Sequence, residues 1–92
     1  MKNIYKTDDT NLAAYIYTKN HPLQKAEIGE YEHIFFYFNI NDELLLDVEA
    51  YKKDSTIAVL SYGKALRYLK RIIINIKQRE NKTITFETEE EA

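Results

Sequence analysis

The stretch at residues 33–40, HIFFYFNI, is the most apolar part of the chain and is bulky at odd and even positions alike. Because side chains of a strand alternate between two faces, Ile34, Phe36 and Phe38 would share one face. Phe35 and Tyr37 would then share the other. A strand buried on one side only would alternate apolar and polar residues. We therefore expect a central strand whose second face is covered or used.

Shorter strands are expected around this central one. Residues 23–28 would pair antiparallel with it through a hairpin in which Gly29 takes a positive φ. Residues 2–7 would form an edge strand, and residues 82–87 alternate like a possible last strand. Residues 57–60 are apolar and β-branched enough for a short extended segment.

Three amphipathic helices are expected, over residues 10–19, 42–53 and 62–78. Each follows residues that can cap a helix: Asp8, Asp9 or Thr10 for the first, Asn39 or Asn41 for the second, and Ser61 for the third. The residues expected to face the core are Leu12, Ala13, Ile16 and Tyr17, then Leu44, Leu45, Val48 and Tyr51, then Leu66, Leu69, Ile73 and Ile76, with Tyr62 and Ala65 extending this last stripe.

The expected order is β-α-β-β-α-(β)-α, which makes an α+β domain with a small antiparallel sheet and helices packed on it. With 92 residues, 45% of them hydrophobic, the chain fits one domain. We assign that domain to residues 1–80. Residues 81–92 form a C-terminal extension with the possible strand and an acidic tail.

Composition removes several classes of function. The chain has no cysteine, so it has neither disulfides nor thiolate metal sites, and two glycines cannot build a phosphate-binding loop. It has no signal-peptide core or membrane-spanning run, which predicts a cytoplasmic protein without membrane contact.

We expect no catalytic residue, metal, cofactor or small-molecule substrate. His21 and His33 lie twelve residues apart beside different turns, so we expect solvent-facing turn residues there and not metal ligands. Acidic pairs at helix starts are explained by capping, and no serine has the setting of a nucleophile. The sequence therefore predicts a protein that is not an enzyme.

The third helix carries the most distinctive polar pattern. Lys64, Arg67 and Arg71 recur at helical spacing, and Lys70 and Lys77 flank them. Such a face could follow a phosphate backbone or an acidic partner. The ordinary interpretation is a solvated helix face, and a net charge of −2 weighs against nucleic acid.

Four bulky residues are candidates for an interface: Phe35, Tyr37, Ile72 and Ile74. Sheet aromatics such as Phe35 and Tyr37 could stack on bases, but the consensus of RNA-recognition motifs is absent, so we favour packing or dimerisation. Ile72 and Ile74 lie beyond the core stripe of the third helix. If exposed, they would form a patch typical of a protein interface.

Four motifs give the chain a resemblance: IYKTDDTNLAAYIYTKN, the aromatic strand HIFFYFN, AYKKDSTIAV at the end of a helix, and the lysine-rich YGKALRYLKRI. Together they resemble a family of small uncharacterised proteins of bacteria and their phages, known only as a domain of unknown function. The chain departs from that pattern with Asn20-His21-Pro22 where a glycine is expected after the first helix. The resemblance transfers no catalytic residue and implies a small accessory protein of a phage or mobile element.

These patterns predict a non-enzymatic accessory protein that acts by protein–protein interaction or self-association, as a homodimer. The alternative is nucleic-acid binding through the basic face of the C-terminal helix.

Overall fold

The computed structural model describes residues 3–53, 59–78 and 83–86. Its elements follow the predicted α+β order and include the last strand. They are β1 (Ile4–Thr7), α1 (Thr10–Thr18), β2 (Leu23–Ile28), a 3-10 turn (Glu30–Glu32), β3 (Ile34–Asn39), α2 (Asp42–Lys52), α3 (Val59–Gln78) and β4 (Thr83–Thr85).

All four strands form one antiparallel sheet in the order β1-β3-β2-β4. The hairpin of β2 and β3 is confirmed, and so are the central place of β3 and the edge place of β1. The strand expected in the C-terminal extension is β4, which pairs with β2 along the other edge.

One face of the sheet carries the core. Ile34, Phe36 and Phe38 are buried there, as predicted, and the three helices contribute to the same apolar cluster. From the helices and β2, the buried members of that cluster are Leu12, Ala13, Ala14, Ile16, Leu23, Ala26, Leu44, Val48, Ala65, Leu69, Ile72 and Ile76.

Helix α3 starts earlier than predicted. Val59 and Leu60 are its first residues, so they are helical and not extended, and Ser61 lies inside the helix and does not cap it. Residues 57–58 of the predicted extended segment lie outside the described residues.

The buried stripe of α3 is also rotated from the prediction. Ala65 is buried, as expected, and so is Ile72, whereas Leu66 and Ile73 are only half-buried at the border of the stripe. The small Ala65 side chain lets α3 pack closely along α1, whose Ala13 is fully buried. Ile72 is therefore a core residue and not surplus apolar surface.

Two more core predictions are corrected in α1 and α2. Tyr15 is buried in α1, while Tyr17 is exposed and stacks on Tyr68 with ring centres 5.3 Å apart. In α2, Leu45 is exposed, because the helix packs through Leu44 and Val48 and turns Leu45 about 100° away from Leu44.

Capping side chains fix the starts of these two helices. The Asp9 carboxylate accepts from the Leu12 backbone N–H at 3.1 Å, and the Asn41 side chain accepts from that of Leu44 at 2.7 Å. Both caps are among the predicted candidates. They satisfy backbone donors that have no partner within the helix.

The hairpin turn does not use Gly29 as expected. Gly29 has φ −111°, and the positive φ values in the hairpin belong to Tyr31 and Glu32. A Cβ at Gly29 would lie 2.8 Å from Cε2 of Phe35, so close approach to that ring explains the glycine. After α1, Asn20 takes φ 71° in place of a glycine, a conformation that asparagine tolerates.

The two histidines differ sharply in their surroundings. His33 is exposed, as predicted, with Nδ1 3.0 Å from Oδ2 of Asp8. His21 is buried, which contradicts the prediction, and its Nε2 lies 2.7 Å from Oδ2 of Asp47. This bond joins the α1–β2 connection to α2.

No helix within the described ranges is long and apolar enough to cross a membrane.

We predict that His21→Ala lowers the free energy of unfolding by about 1–3 kcal/mol, because it removes a buried side chain and a partly buried hydrogen bond. His33→Ala is the matched control, since it also removes a histidine paired to one aspartate. It should cost at most about 1 kcal/mol, because that pair is exposed. Urea denaturation of both variants measures the difference, and equal losses would contradict the structural role of His21.

Candidate functional site

The second face of the sheet has no helix on it in the described part of the chain, and we call it the open sheet face. Pairing register places its side chains, because residues opposite each other in antiparallel strands share a face. It comprises Ile4 and Lys6 of β1, Lys25 and Glu27 of β2, Phe35, Tyr37 and Asn39 of β3, and Thr83 and Thr85 of β4.

Two lysines lie over the aromatic rings of the open sheet face. Nζ of Lys6 is 4.5 Å from the ring centre of Phe35, and Nζ of Lys25 is 4.5 Å from that of Tyr37. Lysine stems can cover apolar surface while the ammonium group stays in water. Phe35 and Tyr37, on the second face of β3, are therefore half-buried beneath the two lysine side chains. Strand β4 does not cover this face, because it lies next to β2 at the edge of the same sheet.

A hydrogen-bonded pair sits at the centre of this face. The Tyr37 hydroxyl donates to Oε1 of Glu27 at 3.0 Å, and Nζ of Lys25 lies 3.4 Å from the same oxygen. The bond from Tyr37, followed by the charge of Lys25, lowers the pKa of Glu27. Burial raises the pKa of Tyr37, and its bond to Glu27 raises it further.

Two shallow depressions, each of about 380 Å³, flank Tyr37 on the open sheet face. The first is lined by Lys6, Glu27, Ile28, Gly29, Glu30, Phe35 and Tyr37. The second is lined by Ile4, Gln24, Lys25, Tyr37, Thr85 and Phe86. The first depression is therefore bordered by aromatic, cationic and acidic groups, and the second by aromatic, cationic and amide groups.

The outer side of α3 is a second exposed surface, which we call the basic helix face. Its members are Lys64, Arg67, Lys70, Arg71 and Lys77, which are all exposed. Arg67, Lys70 and Arg71 lie opposite the buried stripe, and Lys64 and Lys77 lie toward its borders. α3 contains no acidic residue, and within residues 3–53, 59–78 and 83–86 none of the five forms an ion pair. From Lys64 to Lys77 the face extends about 20 Å.

The four predicted interface residues do not form one surface. Phe35 and Tyr37 lie on the open sheet face, and Ile72 is buried on the other side of the sheet. Ile74 is 52% exposed and sits among the cations of the basic helix face. The predicted apolar patch of Ile72 and Ile74 is therefore absent.

Sequence reasoning missed the polar half of the open sheet face: Lys6, Lys25 and Glu27. The sequence feature that indicates them is the alternation of polar residues in β1 and β2. It shows which face these residues occupy only once the pairing register with β3 is known. It also missed the exposed apolar residues Leu45, Leu46, Val59 and Leu60. In the part of the chain that the structure describes, no three His, Asp or Glu side chains gather as a metal site.

Comparisons with protein-family models, curated proteins and solved structures found no match. The fold and surfaces define the class of the protein as α+β, with a four-stranded antiparallel sheet that carries its helices on one face.

We predict that Tyr37→Phe raises the pKa of Glu27 toward its ordinary value of 4.5, because the largest cause of its lowering is lost. A lowered carboxyl pKa in the folded state adds stability above pH 4.5 that disappears as the pH falls through the lowered value. The variant should therefore lose less stability than the parent on acidification.

Carbon NMR of the Glu27 carboxyl group measures the change directly. Tyr31→Phe is the control, because Tyr31 is 89% exposed and lies outside the open sheet face. Identical Glu27 titrations in parent and Tyr37→Phe would show that the hydrogen bond has no electrostatic effect.

Proposed function

We propose that this protein is a non-enzymatic binding protein whose basic helix face contacts a polyanion, with nucleic acid as the partner. The observation that carries the proposal is the basic helix face itself: five exposed cations on a helix without a single acidic residue. Cations that neutralise phosphates release bound counterions, which drives association without base-specific contacts.

Net charge does not oppose this contact strongly. The chain has a formal charge of −2, yet charges separated by more than about 8–10 Å are largely screened at physiological ionic strength. A phosphate at Arg67 would respond mainly to the cations around it. Arginine also offers a planar fork that matches phosphate geometry.

The non-enzymatic part of the proposal is supported by how the perturbed groups are used. Glu27 and Tyr37 are bonded to each other on an open face, and Tyr62 and Tyr68 have raised pKa values mainly because of partial burial. An acid–base site would instead hold such groups against an enclosed substrate.

A protein partner, including a second copy of the chain, is the second candidate. The observation that favours it is exposed apolar surface on two helices: Leu46 is 68% exposed beside Leu45 in α2, and Val59 and Leu60 are each 80% exposed at the start of α3. The resemblance of the sequence adds the setting of this proposal, an accessory protein of a phage or mobile element in the cytoplasm.

We predict that the double change Arg67→Ala and Arg71→Ala weakens nucleic-acid binding. It should also make the plot of log binding constant against log salt concentration less steep, by an amount that corresponds to about two phosphate contacts. Filter binding to a duplex over a salt series measures both effects. The matched control is Lys52→Ala with Lys53→Ala, which removes two exposed cations from the end of α2. Binding without salt dependence, or equal losses in both variants, would rule out the basic helix face.

For the second candidate we predict a dimer at micromolar concentration that Leu45→Ser with Leu46→Ser converts to monomer, because polar side chains remove the apolar contact. Sedimentation equilibrium measures the change. Tyr31→Ser alters an exposed apolar residue elsewhere and should leave the dimer intact. A parent protein that sediments as a monomer would exclude self-association.

A further inference from the structure

Two aromatic rings stand side by side on the open sheet face. Phe35 and Tyr37 are separated by about 7 Å along β3, and no residue of α1, α2 or α3 within the described ranges lines the depressions around them. We propose that this face binds single-stranded nucleic acid, with bases stacked on Phe35 and Tyr37 and phosphates held by Lys6 and Lys25. The inference goes beyond the proposed function, because it adds a second surface and a preferred form of nucleic acid and does not depend on the basic helix face.

Lys6 and Lys25 are placed so that their ammonium groups can leave the aromatic rings and contact phosphates. Lys6 and Lys25 both lie opposite Tyr37 in the pairing register, one on each neighbouring strand. Their ammonium groups rest over the rings at 4.5 Å, but a lysine side chain is long and rotates freely. Because a cation–π contact at an exposed site is weaker than base stacking, an incoming base would displace the ammonium group toward a phosphate.

The space around Tyr37 suits unpaired bases. The depression beside β4 is lined by the aromatic side chains of Tyr37 and Phe86 and by the polar groups of Gln24 and Thr85. Bases in a duplex are stacked inside it and cannot reach such a flat face, whereas bases of a single strand can turn outward. The open sheet face should therefore discriminate between the two forms.

Two acids oppose a phosphate at this face. Glu30 lines the depression that also holds Lys6 and Phe35, and the nearer one to Tyr37 is Glu27. Its carboxylate is bonded to Tyr37 and paired with Lys25, so its charge is partly compensated but still present. The strand should therefore place its phosphates near the two ammonium groups and away from Glu27. Glu27→Gln keeps an acceptor for Tyr37 and removes the charge, so it should tighten binding.

A second copy of the chain fits this face less well. Four strands about 4.8 Å apart and about 15–20 Å long present roughly 300–400 Å², against about 800 Å² per partner in a stable interface. A two-fold contact would also bring Lys6 and Lys25 of both copies together, with Glu27 as the one acid in the described strands of each face. A single strand of a few nucleotides matches this area and offers phosphates to the two ammonium groups.

The test uses fluorescence anisotropy with the full chain. The probes are a labelled oligothymidylate of about ten nucleotides and the same strand paired with oligodeoxyadenylate. We expect Phe35→Leu with Tyr37→Leu to weaken binding of the single strand roughly tenfold or more and to leave duplex binding unchanged. Tyr37→Phe keeps the ring and should bind like the parent, and Tyr31→Leu controls for loss of an exposed aromatic residue.

Each outcome separates the inference from the proposed function. If only Arg67→Ala with Arg71→Ala weakens binding, the basic helix face stands and the open sheet face is overturned. We call Phe35→Leu with Tyr37→Leu the leucine variant. If it alone loses binding of the single strand, the open sheet face is supported and the basic helix face is overturned. A parent that binds neither probe overturns both, and a leucine variant that abolishes a dimer in sedimentation makes the open sheet face a self-interface and overturns the inference.

A measurement on the unchanged chain covers the case in which the leucine variant fails to fold. Oligothymidylate should shift the ring NMR signals of Phe35 and Tyr37 more than that of Tyr31. Unshifted ring signals at saturating oligothymidylate would overturn the inference.

Discussion

The burial of β3 on one face only is the constraint on which the rest of the structure depends. Phe36 and Phe38 are fully buried, and each such side chain contributes about 1.5–3 kcal/mol when removed from water. A slip of one residue in the pairing would exchange these side chains for Phe35 and Tyr37. The core therefore fixes the register, and the register in turn fixes which residues stand on the open sheet face.

Much of the fold follows from periodicity, but the rotation of α3 does not. Ile72 and Ile73 are both isoleucines, so the apolar spacing is compatible with either residue at the centre of the buried stripe. What decides is the partner: α1 presents alanines, and α3 approaches closely through Ala65 with Ile72 on the same side. A helix pattern by itself carries no information about the neighbour that it will meet.

The same reason explains the errors at single residues. The sequence predicts a solvent-facing His21, because its partner Asp47 is 26 residues away in the sequence and approaches only when α2 packs against the rest of the domain. Gly29 was given a role in backbone conformation, whereas the ring of Phe35 is what excludes a side chain there. The basic helix face was predicted in full, because all of its members lie on one helix and need no tertiary information.

The two candidate surfaces lie on different layers of the protein, and this separation matters for binding. The basic helix face points away from the core on the helical side, and the open sheet face lies on the other side of the sheet. The smallest extent of the molecule is 24 Å, so changes on the two surfaces should affect the free energy of unfolding independently. Either surface alone offers few phosphate contacts, but one strand that passed around an edge of the sheet could engage both. Once the strand is bound to one surface, its contact with the other surface would form within the complex and at a high effective concentration. Lengthening the strand would therefore raise its affinity more than any single side chain of the protein does.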